Sequence, residues 1–350
     1  MTGGGDLTVS VLRNPAAVER IAPEWRLLWE RCPLATTFQR PEWIISWMHT
    51  FQPLDPLIVE VRQNHRLTAI APFLIYEDGS RQILGLMGGG VSDYLDILVE
   101  DDSVPRVLSA ILDYTNRSEL SWDTLNLTDL SAASPLLTLS GHSFVKCGYH
   151  DVCTELSLPS NAEHIKAVIP AHKYDNLKNA RSRLQRSGVA SIELARQETL
   201  NEFLNALFEL HESRWKEVGQ SGVLADEKIQ AFHRKTARQL LRRGILRFYG
   251  IRLDDRLIAT LYSFFEREAA YCYLQGFDPA YASLSVGSVL LGTAICDALR
   301  EGKKRVDFLR GQEAYKYSWG VKDAPTFSIQ ASRQSLASSI LLDGITASRT

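Results

Sequence analysis

Three apolar runs in the second half of the chain, Leu246–Leu253, Leu257–Phe265 and Ala269–Phe277, are separated only by the polar turns Asp254-Asp255 and Glu266-Arg267. Runs of this length, rich in Ile, Leu, Phe and Tyr and joined by tight turns, predict an antiparallel meander. Helical periodicity precedes them. Glu198–Val218 carries Leu200, Phe203, Leu204, Leu207, Phe208, His211 and Trp215 at helical spacing, and Glu227–Arg243 is a second helix closed by Gly244. Further upstream lie a basic helix, Asp175–Arg186, ended by Gly188, and a strand, Val189–Leu194. Downstream, Ser285–Arg300 reads as a helix ended by Gly302, Arg305–Leu309 as a buried strand and Pro325–Ala331 as a last strand. The Ser- and Ala-rich tail after Gln334 is expected to fray.

The first half has the same order. Leu7–Leu12 reads as a strand, and Asn14-Pro15 supplies an N-cap and a proline at the first helical position. Helices are predicted at Ala16–Glu30 and Pro41–Thr50. Strands follow at Leu57–Arg62 and Leu67–Tyr76 around a Gln63-Asn64 turn, and at Ile83–Met87 and Tyr94–Val99 around Gly88-Gly89-Gly90. Val104–Tyr114 reads as a helix, Thr124–Leu127 as a strand, and Phe144–Cys147 with Val152–Leu158 as a closing pair. Pro159–Pro170 reads as a link or short helix. The pattern is an internal duplication: early helices, an antiparallel meander, then a helix and a buried strand. It has no short period, which excludes solenoids and propellers. A mixed α/β fold in each half is the expectation, and 350 residues suit two domains.

Lys and Arg number 39 against 41 Asp and Glu, a formal net charge of −2. A domain built mainly to hold nucleic acid is usually more basic. Five cysteines, Cys32, Cys147, Cys153, Cys272 and Cys296, are an odd count with no CxxC pair, so neither a disulfide framework nor a zinc ribbon is expected. The N-terminus lacks the basic and apolar regions of a signal peptide. The longest apolar stretch, Val286–Leu299, is interrupted by Gly287, Ser288, Gly292, Thr293 and Asp297, and falls short of the ~20 residues that span a bilayer. No membrane span and a cytoplasmic location are expected.

Chemistry concentrates between Tyr271 and Gly320. Asp278-Pro279 ends a strand. Ser285-Val286-Gly287-Ser288 opens a helix, where free N–H groups and the helix dipole favour phosphate. The alternative is an ordinary serine cap with a packing glycine. Asp307 and Arg310 lie at the C-terminal end of a buried strand, where α/β sites collect, or else Asp307 simply pairs with Arg310 or a helix end. Lys316 stands between Tyr315 and Tyr317, with Trp319 beyond. An ammonium there can meet a phosphate or carboxylate beside aromatic walls, or the segment is a surface turn with aromatic anchors.

Other candidates are weaker. The run His172, Lys173, Lys178, Arg181, Arg183 and Arg186, interrupted by Asp175, is most often a solvated helix face, though it suits an anionic ligand. His211 reads as a core histidine before it reads as a base; Trp215 lies one turn on, with Glu212 and Arg214 between. Asp93, Tyr94 and Asp96 either line a face of the first domain or serve turn chemistry. His142 and His150 lack partners at metal spacing. GxSxG, HExxH and EF-hand patterns are absent.

The segment KYDNLKNARSRLQRSG, the strand YLQGFDPAY, the helix opening LSVGSVLL and the run VDFLRGQEAYKYSWG together resemble the CelD/BcsL-like acyltransferases of the GNAT superfamily, which are related to the Fem peptidoglycan aminoacyl transferases. The ending matched is Asp307, Phe308, Gly311, Tyr315, Lys316, Trp319 and Gly320. The motifs lie within about residues 171–320; the first half matches in coarse pattern only. The resemblance implies two tandem GNAT-like domains, each a mixed, mostly antiparallel sheet flanked by helices. Residues 1–160 would form a degenerate acceptor-side domain, and residues 161–350 the donor-side domain.

It further implies an acyl-CoA co-substrate such as acetyl-CoA, no metal, and a small-molecule amine acceptor such as an amino sugar or amino acid. Envelope or exopolysaccharide synthesis is the implied setting. The alternatives are an aminoacyl-tRNA donor and a catalytically silent partner protein. The donor would lie along Gln275, Gly276 and Phe277, with its pyrophosphate at Ser285, Val286, Gly287 and Ser288. This chain keeps only Gly287 of the usual glycine-rich loop. Candidate bases are Asp278, Asp307 and Glu313; Lys316 or Arg310 would meet an oxyanion or phosphate. Tyr315, Trp319, Asp93 and Tyr94 would contact substrate.

Overall fold

The computed structural model describes residues 6–100, 104–117, 119–143, 145–162, 164–217 and 222–336, with side chains in the fifth segment described to Ser213. In chain order the elements are β1 (Leu7–Leu12), α1 (Pro15–Arg31), α2 (Pro41–Phe51), β2 (Asp55–Gln63), β3 (Arg66–Asp78), β4 (Arg81–Leu86), β5 (Leu98–Val99), α3 (Val104–Thr115), β6 (Thr124–Ser131), β7 (Lys146–Ser157), α4 (Ala171–Arg186), β8 (Ala190–Leu194), α5 (Leu200–Glu217), α6 (Glu227–Arg242), β9 (Leu246–Leu253), β10 (Arg256–Glu266), β11 (Ala269–Phe277), α7 (Val286–Arg300), β12 (Arg305–Arg310), α8 (Ala314–Tyr317) and β13 (Lys322–Ser332). This is the expected mixed α/β architecture of helices on mostly antiparallel sheet. Two compact units divide it: residues 1–151 with 325–350, and residues 152–324.

In the first unit β1, β2, β3 and β4 pair antiparallel in sequence order, β6 joins β4 in parallel, and the end of β13 pairs antiparallel with β6. The β2–β3 hairpin turns on Asn64 and His65, both at positive φ (50° and 67°), one residue beyond the expected turn. Backbone of that kind matches the right-handed twist of the flanking strands. The core gathers Leu57, Val59, Ala71, Phe73, Leu84, Val107, Ile111, Trp122, Leu125 and Leu127. Two expectations fail here. Tyr94–Val99 is mostly loop, with only Leu98–Val99 pairing, to β3. The expected closing pair of Phe144–Cys147 with Val152–Leu158 does not form: Lys146–Ser157 is one continuous strand, and Phe144 lies outside the described residues.

In the second unit β8, β9, β10 and β11 pair antiparallel, β12 joins β11 in parallel, and residues 153–157 of β7 pair antiparallel with β12. Asp254 and Asp255 again form a turn with both φ positive, 46° and 67°. One face of this sheet packs on α4 and α7 through Leu177, Leu184, Ile258, Leu261, Val289, Leu290 and Ile295. The other face carries α5 and α6. Gly276 permits that approach, since a Cβ there would lie 2.9 Å from Leu210 Cβ and 3.0 Å from the His211 backbone nitrogen. His211 is buried, as its reading as a core histidine requires; Trp215 lies outside the described side chains. No helix among the described residues is long and apolar enough to cross a membrane.

Candidate functional site

The site is built on the parallel pair of the second unit. β11 and β12 share only three register positions, Ala269–Arg305, Ala270–Val306 and Tyr271–Asp307, although β11 runs on to Phe277 and β12 to Arg310. Beyond Tyr271 and Asp307 the two strands no longer pair with each other. β12 resumes with β7 at Arg310–Cys153 after a bulge. Within that bulge Leu309 stands at φ +60°, a conformation that side chains with a Cβ rarely adopt. Two groups hold it. The buried Asp307 carboxylate accepts from Leu309 N at 2.7 Å. The Lys316 ammonium, also buried, donates to the carbonyls of Leu309, Arg310 and Gly311 at 3.2, 2.6 and 3.2 Å, and pairs with Glu313 at 3.0 Å.

A buried cation ringed by three carbonyls is a structural clasp, since leaving any of them bare would cost the full desolvation of a polar group. Lys316 and Asp307 therefore lock the end of β12. Of the carboxylates nearby, Glu313 keeps about half its side chain exposed. Cys272, on the facing strand, is buried and its thiol is pushed up to about 12, mainly by desolvation, so it is no nucleophile at neutral pH.

The second part is the N-terminus of α7. Ser285 caps it at φ +54°, and its hydroxyl makes no bond to the helix backbone. Two cations of α4 meet this end. Lys173 Nζ lies 3.4 Å from Ser288 Oγ, and Arg183 Nη2 lies 3.4 Å from Ser285 Oγ. Lys173 also stands 4.3 Å from the centre of the buried Trp319 ring. Burial lowers its pKa below the ordinary lysine value. Arg183 Nε is buried without a hydrogen-bond partner, as is Trp319 Nε1. Helix dipole, free N–H groups, two hydroxyls and two cations converge on one point, a combination suited to a phosphate or pyrophosphate.

The close approach of the two helices has a sequence cause. Leu177, Ala180 and Leu184 form the buried stripe of α4, and a Cβ on Gly292 would lie 2.6 Å from Leu177. Lys173 continues that stripe one turn earlier, and Arg183 flanks it. This spacing was the available signal that the basic helix is more than a solvated face.

The remaining candidates are placed as follows. Gln275 Nε2 donates to Gly287 O at 2.9 Å, and its amide fills the space beside Gly287, where a Cβ would come within 2.7 Å of Nε2. Asp278 accepts from Ala280 N at 3.0 Å and pairs with Arg256 at 2.9 Å, so both of its oxygens are engaged. Phe277 packs at the edge of the core, and Val286 is buried in it. Tyr315 is exposed beside the clasp. Asp93 and Tyr94 belong to the first unit, where Tyr94 is buried near Phe38 and its carbonyl accepts from Gln39 Nε2 at 3.0 Å. Among the described residues no group of three or more His, Cys, Asp or Glu is arranged to hold a metal ion.

Residues 171–317 match the model of the acetyltransferase (GNAT) domain. No curated protein matches the chain by sequence. In fold the chain is similar to the crystal structure of FemX, with a TM-score of 0.65 and 11% identity over 88% of this chain and 95% of that one. It is also similar to the C-terminal domain of a putative lysylphosphatidylglycerol synthetase from Agrobacterium fabrum, with a TM-score of 0.58 and 11% identity over 95% and 96% of the two chains. L-PGS from Bacillus licheniformis gives a TM-score of 0.57 and 10% identity over 97% and 98%. At such identities the likeness is one of fold.

Proposed function

We propose that the protein is an acyl-CoA-dependent N-acyltransferase whose donor lies along β11 and the N-terminus of α7. The observation that carries this reading is the convergence of Lys173, Arg183, Ser285 and Ser288 on the start of α7. In this reading the pyrophosphate takes the two cations and the free N–H groups, and the acyl arm enters where β11 and β12 part beyond Tyr271 and Asp307. The acceptor amine attacks the thioester carbonyl; the new C–N bond forms as the C–S bond breaks, and the sulfur leaves as the CoA thiol. The amine proton passes to solvent or to a carboxylate, for which Glu313 has the exposed surface. Asp307 and Lys316 serve as positioning residues that hold the β12 bulge rather than as the base. The acceptor is a small amine, such as an amino sugar or amino acid.

Isothermal titration with CoA and acetyl-CoA tests the donor. Saturable binding that weakens about tenfold in each of Lys173→Ala and Arg183→Ala is expected, in line with loss of one charge-assisted phosphate contact. Absence of binding by the folded protein refutes the reading.

A second reading, an aminoacyl-tRNA donor, draws on the FemX-like fold and on the exposed basic residues Lys178 and Arg186 of α4. Salt-dependent binding of charged tRNA, with transfer of its amino acid, would replace the first reading with this one.

A further inference from the structure

The first unit contains a pocket of about 260 Å³ that the donor reading does not use. Its walls are apolar: Leu34, Ile97, Val99, Val104, Ala133 and Pro135. Its polar groups are few, and most are already engaged. Gln39 donates to Tyr94 O and accepts from Thr36, and Cys32 Sγ donates to Val99 O at 3.3 Å. Asp96 differs. One carboxylate oxygen, Oδ1, accepts from Ile97 N at 2.8 Å and from Ser134 Oγ at 2.9 Å. Its second oxygen makes no hydrogen bond among the described residues, and the side chain keeps part of its surface open to the pocket.

A carboxylate held by one oxygen at the wall of an apolar cavity is a built anchor. Ser134 is itself fixed, since its hydroxyl also caps the 3-10 turn Pro135–Gly141. Desolvation raises the Asp96 pKa to about 7, against the smaller opposing pull of its two hydrogen bonds. No other charged side chain lines the pocket among the described residues, and the Cys32 thiol is the only other titratable one.

We propose that this pocket binds a small organic amine with an apolar body, the ammonium on Asp96 Oδ2 and the hydrocarbon between Ile97, Val99, Val104 and Pro135. The volume suits a body of about six to eight heavy atoms, below the size of most drug-like ligands. A neutral donor such as an alcohol would bind without the charge contribution. The inference is independent of what the second unit binds.

The test uses the full chain and n-hexylamine, with n-hexanol as the neutral comparison. The binding measurement is titration at pH 8, followed by NMR of residues 96–99 and 133–138. Hexylamine is expected to saturate these signals at millimolar concentration. Asp96→Asn, which keeps the shape, is expected to weaken it about tenfold while leaving hexanol unchanged. Ala133→Trp, at the exposed rim, is expected to block both ligands and guards against a folding defect in the buried variant. Wild-type affinity for hexylamine should also fall about tenfold per pH unit below 7, as the carboxylate takes up its proton. No saturable binding at about 10 mM, or binding that Asp96→Asn leaves unchanged, overturns the proposal.

Discussion

The two units share a topology and put opposite chemistry at the same place in it. In each, the last strand of a meander is followed by a connection, a helix and a parallel strand, β4–α3–β6 in one (with the short β5 in the connection) and β11–α7–β12 in the other. In the first unit the loop after β4 is closed by indoles. Trp43 Nε1 donates to Ser92 Oγ at 2.9 Å and Trp47 Nε1 to Gly89 O at 3.2 Å. A Cβ on Gly88, at φ +105°, would meet Ser92 and Leu95. In the second unit the matching loop ends in a left-handed serine, and Lys173 and Arg183 stand over the helix start. One unit fills the crossover with aromatic packing and has Asp96 nearby; the other places two cations beside it. Similar topology thus leaves the chemistry to the side chains around the crossover.

The contrast can be broken most severely at the clasp. Lys316→Met leaves three carbonyls and the Glu313 carboxylate without their cation. It is expected to cost about 3–5 kcal/mol locally, read as faster hydrogen exchange in residues 305–320 with the first unit unchanged. Gly276→Ala comes next: the added methyl drives α5 off β11, for about 1–3 kcal/mol measured by urea denaturation. The double variant Lys173→Ala/Arg183→Ala is expected to lose CoA binding about a hundredfold with little change in thermal midpoint, because these side chains lie at the edge of the core. The smallest effect is expected from Trp43→Phe in the first unit. Losing the bond to Ser92 costs about 1 kcal/mol and leaves CoA binding intact. If Trp43→Phe weakened CoA as much as the α4 variant, the division of labour drawn here would fail.

Most elements were legible from periodicity. Leu246–Leu253 and Ala269–Phe277 are the predicted strands to the residue, and the Asp254-Asp255 turn stands where two acidic residues tolerate positive φ. The candidate site was legible in part. Asp307 and Lys316 were visible as unusual polar residues at a buried strand end. Their use as a clasp was not, because that depends on the bulge at Leu309 and on carbonyls that have no signature in residue identity. Lys173 and Arg183 were visible only as members of a charge run. Nothing in the local sequence of Asp96, beside Asp93 and Tyr94, distinguishes a carboxyl in an apolar pocket from turn chemistry.

By itself the sequence determined the period-2 runs, the amphipathic helices and the duplication of their order, because backbone geometry and solvent contrast act residue by residue. Tertiary structure alone decided three further things: that residues 325–332 complete the first unit's sheet beside β6, that β12 leaves β11 after three residue pairs, and that α4 delivers two cations to the start of α7. Each rests on contacts between segments far apart in the chain. Lys173 and Ser288, 115 positions apart, meet only because Gly292 lets Leu177 sit against α7.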